Sequence, residues 1–259
     1  MASRVTTVKN AEKLVERTMK GNDASHDAAH VWRVRDLALS LAQEEGLSSD
    51  SMEIVELAAL LHDIGHPLSN SYFQTCRSSI FNAFLKNFSC EVLIASLADS
   101  SASIWPCRDP SEEKIVQNFL EEEGVDEIKK MKILTIINGM GFKEELAGHA
   151  NGEFSPEFRV VQDADRLDAI GAVGIARCFT FGGSRNRVLH DPAIPPRPDL
   201  SKEQYMKKEE QTTVNHFHEK LLKLKDLVKT KAGQRRAERR HKFMEEFLKE
   251  FYEEWDGRA

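Results

Sequence analysis

The residues most able to do chemistry in this chain are histidines and aspartates that recur within apolar, helix-forming segments. His26 and His30 lie four residues apart in SHDAAHVWRV, so a continuous helix would place them on one face. His30 falls in the apolar stripe of Val34 and Leu37 and is therefore expected to point inward. An inward histidine is usually a satisfied core residue, but further polar residues follow the same pattern here.

A second segment, ELAALLHDIG, places His62 and Asp63 side by side in an otherwise apolar helix. Their neighbours Ala58 and Ala59 are small, so another helix can approach closely and bury the pair. Burying two polar groups without partners is costly. A metal ion bound by both residues would remove that cost, whereas a solvated helix face is the simpler alternative.

A third segment, VVQDADRLDAIGAVGIAR, again sets acids among small residues. Asp165 is aligned with Ala169 and Ala172 at helical spacing, and Asp168 lies beside it. The three segments together predict a site of two histidines and two aspartates. Such a donor set suits a divalent ion, with Mn, Fe, Co, Ni, Zn and Mg as candidates.

The order of these residues resembles the HD-domain metal-dependent phosphohydrolases, in which a histidine, a His-Asp pair and a distant aspartate follow one another. The closer resemblance is to a subgroup that includes bacterial nucleoside triphosphate pyrophosphohydrolases. It covers about residues 10–65 and 108–257. Four separated blocks carry it: HDAAHVWRV, ELAALLHDIG, VVQDADRLDAIGAVGIARCFTFGGS and NHFHEKLLKLKDLVKT. The resemblance implies an all-α fold, a single HD-domain helical bundle over residues 1–259.

The resemblance also implies roles for individual residues. Arg33 could contact a phosphate or form a structural salt bridge, and Asp168 could orient a ligand or the substrate. The lysines of the fourth block could equally form a solvated helix face. The implied metal ligands are His30, His62, Asp63 and Asp165. The implied catalytic or proton-transfer candidates are His26, Asp27, His66 and Asp168. The implied substrate-binding candidates are Arg33, Arg185, Lys220 and Lys225.

The activity that the resemblance implies is metal-dependent hydrolysis of a nucleotide. The favoured reaction converts a nucleoside or deoxynucleoside triphosphate to the monophosphate and pyrophosphate. One alternative is a nucleoside monophosphate phosphatase. Another is a metal- or nucleotide-binding protein without catalytic activity.

Residues 66–107 differ in composition from the rest of the chain. Only 4 of these 42 residues are charged, nine are serine, and three of the four cysteines lie here. The segment also interrupts the family pattern after Gly65. We therefore expect a poorly ordered insertion that replaces residues next to the His-Asp pair.

Helical periodicity predicts the elements that must position these residues. The first helix is expected over 7–20, and Asp23 or Ser25 is expected to cap the second. Residues 182–200 read as a Gly/Pro-rich loop. The other predicted helices span 25–45, 50–65, 111–123, 126–138, 160–181, 201–230 and 232–255.

Composition restricts the partners and the location. The 259 residues are 41% apolar and 30% charged with a net charge of −6, which gives no reason to expect a nucleic-acid partner. No apolar run approaches the roughly 18 residues of a membrane span. The four cysteines form no CxxC pair, so a disulfide framework is not expected. We expect an intracellular, cytoplasmic protein with a small nucleotide partner, and homo-oligomerisation remains open.

Overall fold

A computed structural model of the chain describes residues 4–64, 110–140, 154–197 and 211–259. Within these ranges the chain forms helices joined by turns and loops, with no β-strand, so the prediction of an all-α fold is confirmed. The helices in chain order are α1 (Arg4–Thr18), α2 (Ala28–Glu44), α3 (Ser49–Leu61), α4 (Pro110–Glu122), α5 (Glu127–Gly139), α6 (Pro156–Asp168), α7 (Gly171–Ser184), α8 (Asn215–Glu219), a 3₁₀ helix (Leu221–Leu227) and α9 (Lys231–Trp255).

Helices α2, α3 and α6 form the centre of the bundle, because each packs against the other two. Val34 and Leu41 of α2 are fully buried at this junction. Ala58 and Ala59 of α3 are fully buried as well. Their small side chains allow the neighbouring helices to approach closely, as the sequence predicted.

The remaining helices cover this centre. Helix α1 packs on α3 through a buried face that includes Ala11 and Val15, and α5 packs on α3 and α6. Helix α9 contacts α7, α6 and the 3₁₀ helix. Helix α9 carries an apolar stripe that includes Phe243, Met244 and Leu248; Met244 and Leu248 are buried, while Phe243 stays 47% exposed. The stripe is therefore core packing along part of its length.

The second helix begins later than its sequence predicts, and neither Asp23 nor Ser25 caps it. Asp27 is the N-cap, with an extended backbone and a carboxylate that accepts the backbone N–H of His30 at 3.1 Å. An N-cap of this kind satisfies a backbone donor that would otherwise lack a partner. His26 therefore lies in the turn before α2 and not on its face.

The long helix predicted over 160–181 is wrong, because the chain breaks between α6 and α7. Ala169 ends α6, and Gly171 adopts a φ of +78°, which favours glycine. Gly174 then packs directly on the end of α6: a Cβ there would lie 2.2 Å from the Ala169 carbonyl oxygen. The break redirects the chain, so α6 and α7 present separate faces to the centre.

The single helix predicted over 201–230 is also wrong. Residues 201–210 lie outside the described ranges, and the rest forms the short α8 and the 3₁₀ helix. The 3₁₀ helix ends at Leu227, and the buried carboxylate of Asp163 holds the chain just after it. This carboxylate accepts the backbone N–H groups of Lys229 at 2.9 Å and Thr230 at 2.7 Å. The tertiary contact outweighs the helical periodicity of the segment.

The predicted insertion at 66–107 lies outside the described residues. Among the helices of the described ranges, none combines the length and the apolarity needed to cross a bilayer.

The corner between α6 and α7 yields a stability prediction. Gly174→Ala should lower the free energy of unfolding by about 3 kcal/mol, because the added methyl meets a backbone carbonyl that cannot move aside. Gly183→Ala is the matched control on the same helix, since a Cβ there meets nothing within 4 Å. It should raise the free energy of unfolding by up to about 1 kcal/mol. Urea unfolding measures both, and equal stabilities would contradict the packing described for this corner.

Candidate metal centre

Four side chains that can bind a metal converge where α2, α3 and α6 meet. His30 projects from α2, His62 ends α3 and is followed by Asp63, and Asp165 lies on α6. The Nε2 atom of His30 lies 3.3 Å from Asp63 Oδ2 and 3.6 Å from Asp165 Oδ1. The Nε2 atom of His62 lies 3.6 Å from Asp63 Oδ1 and 3.9 Å from Asp165 Oδ1. Both imidazoles therefore face the same two carboxylates; we call these four residues the metal pocket.

The second imidazole of the pocket carries an unsatisfied nitrogen. The Nδ1–H group of His62 donates to the Ala59 carbonyl at 2.8 Å, which leaves the lone pair on Nε2. This Nε2 atom is buried and makes no hydrogen bond with the described residues. Leaving such an atom without a partner costs about 1–3 kcal/mol. A cation bound at Nε2 would remove this cost.

The spacing of the donors fits a single small cation. Candidate ligand atoms of His30, His62 and Asp63 all lie within 4.8 Å of one another. Ligands that each lie about 2.1 Å from one ion are separated by about 3.0–3.4 Å in octahedral or tetrahedral geometry. These three donors are thus close to the arrangement that a bound ion would complete, and Asp165 Oδ1 lies 3.6 and 3.9 Å from the two Nε2 atoms.

Asp168 lies behind the pocket and holds His30 in orientation. Its carboxylate accepts the Nδ1–H of His30 at 2.8 Å, two hydrogen bonds from Arg33 at 2.8 and 3.0 Å, and one from Arg177 at 3.0 Å. A carboxylate at Nδ1 directs the other nitrogen, Nε2, toward a ligand. The side chain of Asp168 is only 3% exposed.

These contacts shift the pKa values of the pair in opposite directions. Burial lowers the pKa of His30, but the hydrogen bonds to Asp168 and Asp63 outweigh it and raise this pKa to about 9. Burial raises the pKa of Asp168, yet the hydrogen bonds from His30 and Arg33 and the charge of Arg177 hold this pKa well below its ordinary value. Asp168 is therefore a permanent anion at neutral pH.

Two residues predicted near the chemistry make structural contacts. Asp27 caps α2. Arg33, expected to contact a phosphate, makes two parallel hydrogen bonds to Asp168, which is the structural salt-bridge alternative that the sequence left open. His66 lies outside the described residues.

His26 borders the metal pocket from the turn before α2. Its ring lies edge-on to His30 with 6.3 Å between centroids, and edge-on to Phe181 of α7 at 5.6 Å. Burial lowers the pKa of His26 to about 4, so its imidazole is neutral. The predicted proton-transfer candidate thus has a position beside the pocket.

Two exposed arginines flank the same aromatic ring. The guanidinium carbons of Arg185 and Arg187 lie 5.3 and 5.2 Å from the Phe181 ring centre. Because Phe181 touches His26, the two cations lie at the edge of the site. Cation–π contacts of this kind are worth about 0.5–1 kcal/mol when exposed and leave guanidinium donors available.

The lysines of the fourth block differ in position. Lys220 directly follows α8. Burial lowers the pKa of the partly buried His216 to about 3, and the positive charges of Lys220, Arg187 and Arg197 contribute to this shift. Lys225 lies on the 3₁₀ helix, and its ammonium pairs with Glu238 of α9 at 3.6 Å. Lys220 and Arg187 both lie near His216, whereas Lys225 pairs with Glu238.

Arg177 was not predicted from the sequence as a site residue, and Ser25 was predicted only as a helix cap. Arg177 is a lone charge in the apolar run GAVGIARCF, and a charge in such a run must have a buried partner. It joins Asp168 to the backbone carbonyl of Ser25, which accepts from Arg177 Nε at 2.7 Å. Ser25 carries no comparable signal in the sequence.

Comparisons with known proteins agree with this geometry. The sequence profile of the HD domain matches residues 27–88, a range that includes His30, His62 and Asp63. YpgQ of Bacillus subtilis is 30% identical over 240 residues, which span 92% of this chain and 89% of YpgQ.

Solved structures resemble the chain over nearly its whole length. A protein from Lactobacillus plantarum superposes with a TM-score of 0.70 at 29% identity and covers 97% of this chain and 98% of its own. An HD-superfamily hydrolase from Bacillus thuringiensis gives 0.61 at 33% identity, with 98% and 99% covered. YpgQ in complex with ADP gives 0.63 at 26% identity, with 98% and 97% covered.

The contacts of Asp168 yield a prediction on metal affinity. Asp168→Asn should weaken binding of a divalent ion about 10- to 100-fold, because the orienting carboxylate behind His30 is lost. It should also destabilise the fold by about 3 kcal/mol, since Arg33 and Arg177 lose a buried counter-charge. Isothermal titration with Mn²⁺ and urea unfolding measure the two effects.

Asp36→Asn is the matched control for this substitution. Asp36 lies on the same helix as His30, but its side chain is 68% exposed and pairs only with its neighbour Arg35 among the described residues. Its substitution should change stability by less than about 0.5 kcal/mol. Equal metal affinity of the Asp168 variant and this control would contradict the orienting role.

Proposed function

The chain belongs to the HD-domain superfamily of hydrolases, and from its metal pocket we propose that it is a metal-dependent phosphohydrolase that acts on nucleotides. The best-supported reaction converts a nucleoside or deoxynucleoside triphosphate to the monophosphate and pyrophosphate. One observation supports the metal most strongly: the buried Nε2 of His62 has a lone pair, faces two carboxylates and has no hydrogen-bond partner among the described residues.

The metal would be held by His30, His62, Asp63 and Asp165. Two imidazole nitrogens and two carboxylate oxygens suit Mn, Fe, Co, Ni or Zn, and Mg more weakly because it prefers oxygen donors. When bound, such an ion lowers the pKa of a coordinated water and polarises a phosphoryl oxygen. Asp168 keeps the first of these ligands in the orientation that binding requires.

The rest of the site supplies contacts for an anionic substrate. Arg185 and Arg187 place two positive charges at a ring that touches His26, and Lys220 adds a third charge near Arg187. A transferring phosphoryl group spreads negative charge over its oxygens, and fixed cations stabilise that charge. Several cations suit a chain of phosphates better than a single phosphate.

A relative of known structure supports a nucleotide as the substrate. YpgQ is known in complex with ADP, and it resembles this chain over 98% of the length. ADP carries the phosphoanhydride and the base that a nucleotide-hydrolysing site must accommodate. We therefore propose a small-molecule nucleotide as the substrate of this chain.

Removing a metal ligand should abolish turnover. In the presence of Mn²⁺ or Co²⁺ the wild-type protein should release pyrophosphate from a nucleoside triphosphate. His62→Ala and Asp63→Ala should each lower kcat/KM by more than about 100-fold. Removing only the residue that orients a metal ligand typically lowers activity about 10- to 100-fold, and removing the ligand itself should lower it further. Metal content measured by mass spectrometry should fall in parallel.

His218→Ala is the matched histidine control. His218 forms a hydrogen bond with the Tyr252 hydroxyl at 2.9 Å. Within the described residues it makes no contact with the metal pocket. It should keep both metal and activity. Turnover that survives chelation and both ligand substitutions would refute the site.

Product analysis separates the proposed reaction from its alternatives. Release of orthophosphate and nucleoside from a monophosphate would favour a phosphatase. Tight metal binding without turnover on any phosphorylated compound would favour a binding protein.

The two arginines should affect long phosphate chains most. The double variant Arg185→Gln and Arg187→Gln should raise KM for a triphosphate at least about tenfold, since even one charge-assisted hydrogen bond contributes about 1.5–3 kcal/mol. The effect on a monophosphate should be smaller, because it cannot reach the outer cations. Steady-state kinetics on both substrates measure the ratio, with Arg235→Gln as control, a residue that is 67% exposed and pairs with Glu44. An equal change for both substrates would contradict this assignment.

A further inference from the structure

Three residues in the turn before α2 form a hydrogen-bonded chain that ends at the metal pocket. The Ser25 hydroxyl bonds the Asp23 carboxylate, which also accepts the Ser25 backbone N–H at 2.9 Å. The same hydroxyl oxygen lies 2.7 Å from Nδ1 of His26. Ser25 is only 1% exposed, so water does not compete freely for these bonds.

The number of protons determines the direction of each bond. Burial opposes the charge of Asp23, but hydrogen bonds from the Ser25 side chain and backbone outweigh it and lower the pKa of this carboxyl. An ionised carboxylate can only accept, so the single hydroxyl proton of Ser25 points to Asp23. The Ser25 oxygen must then accept from His26, which places the ring proton on Nδ1.

We propose that Asp23 and Ser25 are positioning residues that hold His26 as the Nδ1–H tautomer, so that its Nε2 accepts a hydrogen bond from the water that attacks the substrate in the metal pocket. This inference rests on the proposed hydrolytic function. It assigns Asp23 and Ser25 roles in the reaction that their sequence positions do not indicate.

The surroundings of His26 agree with this orientation. Its ring is wedged between His30 and Phe181, so it borders the pocket on one side and the aromatic ring of α7 on the other. With the ring proton on Nδ1, Nε2 is the acceptor atom of a ring that lies beside His30 of the metal pocket.

The turn that carries the chain is fixed to the opposite side of the site. Arg177 donates to the Ser25 carbonyl at 2.7 Å and to Asp168 at 3.0 Å, and Asp168 holds His30. Ser184 Oγ contacts the second Asp23 oxygen at 3.4 Å. Helix α7 thus fixes Ser25 and Asp23 relative to the metal pocket.

Nitrogen NMR of the wild-type protein tests the tautomer directly. In ¹⁵N-labelled protein, His26 should show a protonated Nδ1 and an unprotonated Nε2, with the signal assigned by its loss in His26→Gln. Ser25→Ala should remove the acceptor for Nδ1–H and give the Nε2–H form or a mixture. A wild-type Nε2–H tautomer would overturn the proposal.

Kinetics test whether the tautomer matters for the reaction. Ser25→Ala should lower kcat about 10- to 100-fold with little change in KM or in metal content, the size expected for loss of an orienting partner. Ser25→Thr keeps a hydroxyl and should restore most of the lost kcat. A Ser25→Ala variant with wild-type kcat, or a Ser25→Thr variant as slow as Ser25→Ala, would overturn the proposal.

Asn22→Ala is the control for simple loosening of the turn. Asn22 donates to the backbone carbonyl of His26 at 3.0 Å and does not contact its ring nitrogens. It should leave the tautomer and kcat unchanged, and an equal loss in Asn22→Ala and Ser25→Ala would overturn the proposal. If the wild-type protein hydrolyses no nucleotide in the presence of metal, the proposed function fails, and the Asp23–Ser25 positioning role fails with it. Turnover that depends on His62 but not on Ser25 would overturn this inference alone.

Discussion

The buried carboxylate of Asp168 is the interaction on which the site depends. It is the single anion that His30, Arg33 and Arg177 share, and these three side chains come from two different helices. Without this anion, two guanidinium groups would lie close together with little counter-charge, which is costly in a protein interior. The carboxylate therefore stabilises the junction of α2, α6 and α7 and at the same time turns His30 Nε2 toward the metal pocket.

The packing of small residues makes the rest of the pocket possible. Ala58 and Ala59 keep α3 close to its neighbours, and the carbonyl of Ala59 then holds the Nδ1–H of His62. The break at Gly171 ends α6 just after its acids and lets α7 return with Arg177. Each imidazole thus has one nitrogen fixed by the protein and the other directed at the carboxylates of Asp63 and Asp165.

Much of this arrangement could be predicted from the sequence, and the reasons for the exceptions are physical. Helical periodicity indicated the inward position of His30, because burial follows the repeat of the helix. The small residues Ala58 and Ala59 indicated that another helix could bury the His62–Asp63 pair. Periodicity did not identify the break before Gly171, since GAVGIARCF continues the helical pattern and the left-handed conformation of Gly171 is visible only in the folded chain. The lone charge of Arg177 signals a buried partner, but that partner could not be identified, because a hydrogen bond between residues about 150 positions apart leaves no local pattern.

The central claim is that His30, His62, Asp63 and Asp165 bind one divalent ion. Anomalous diffraction from crystals of the full chain grown with Mn²⁺ tests it most directly. The account predicts one strong manganese peak within coordination distance of the two Nε2 atoms and of both carboxylates. Its absence there, or a peak only at sites remote from His62, would contradict the account.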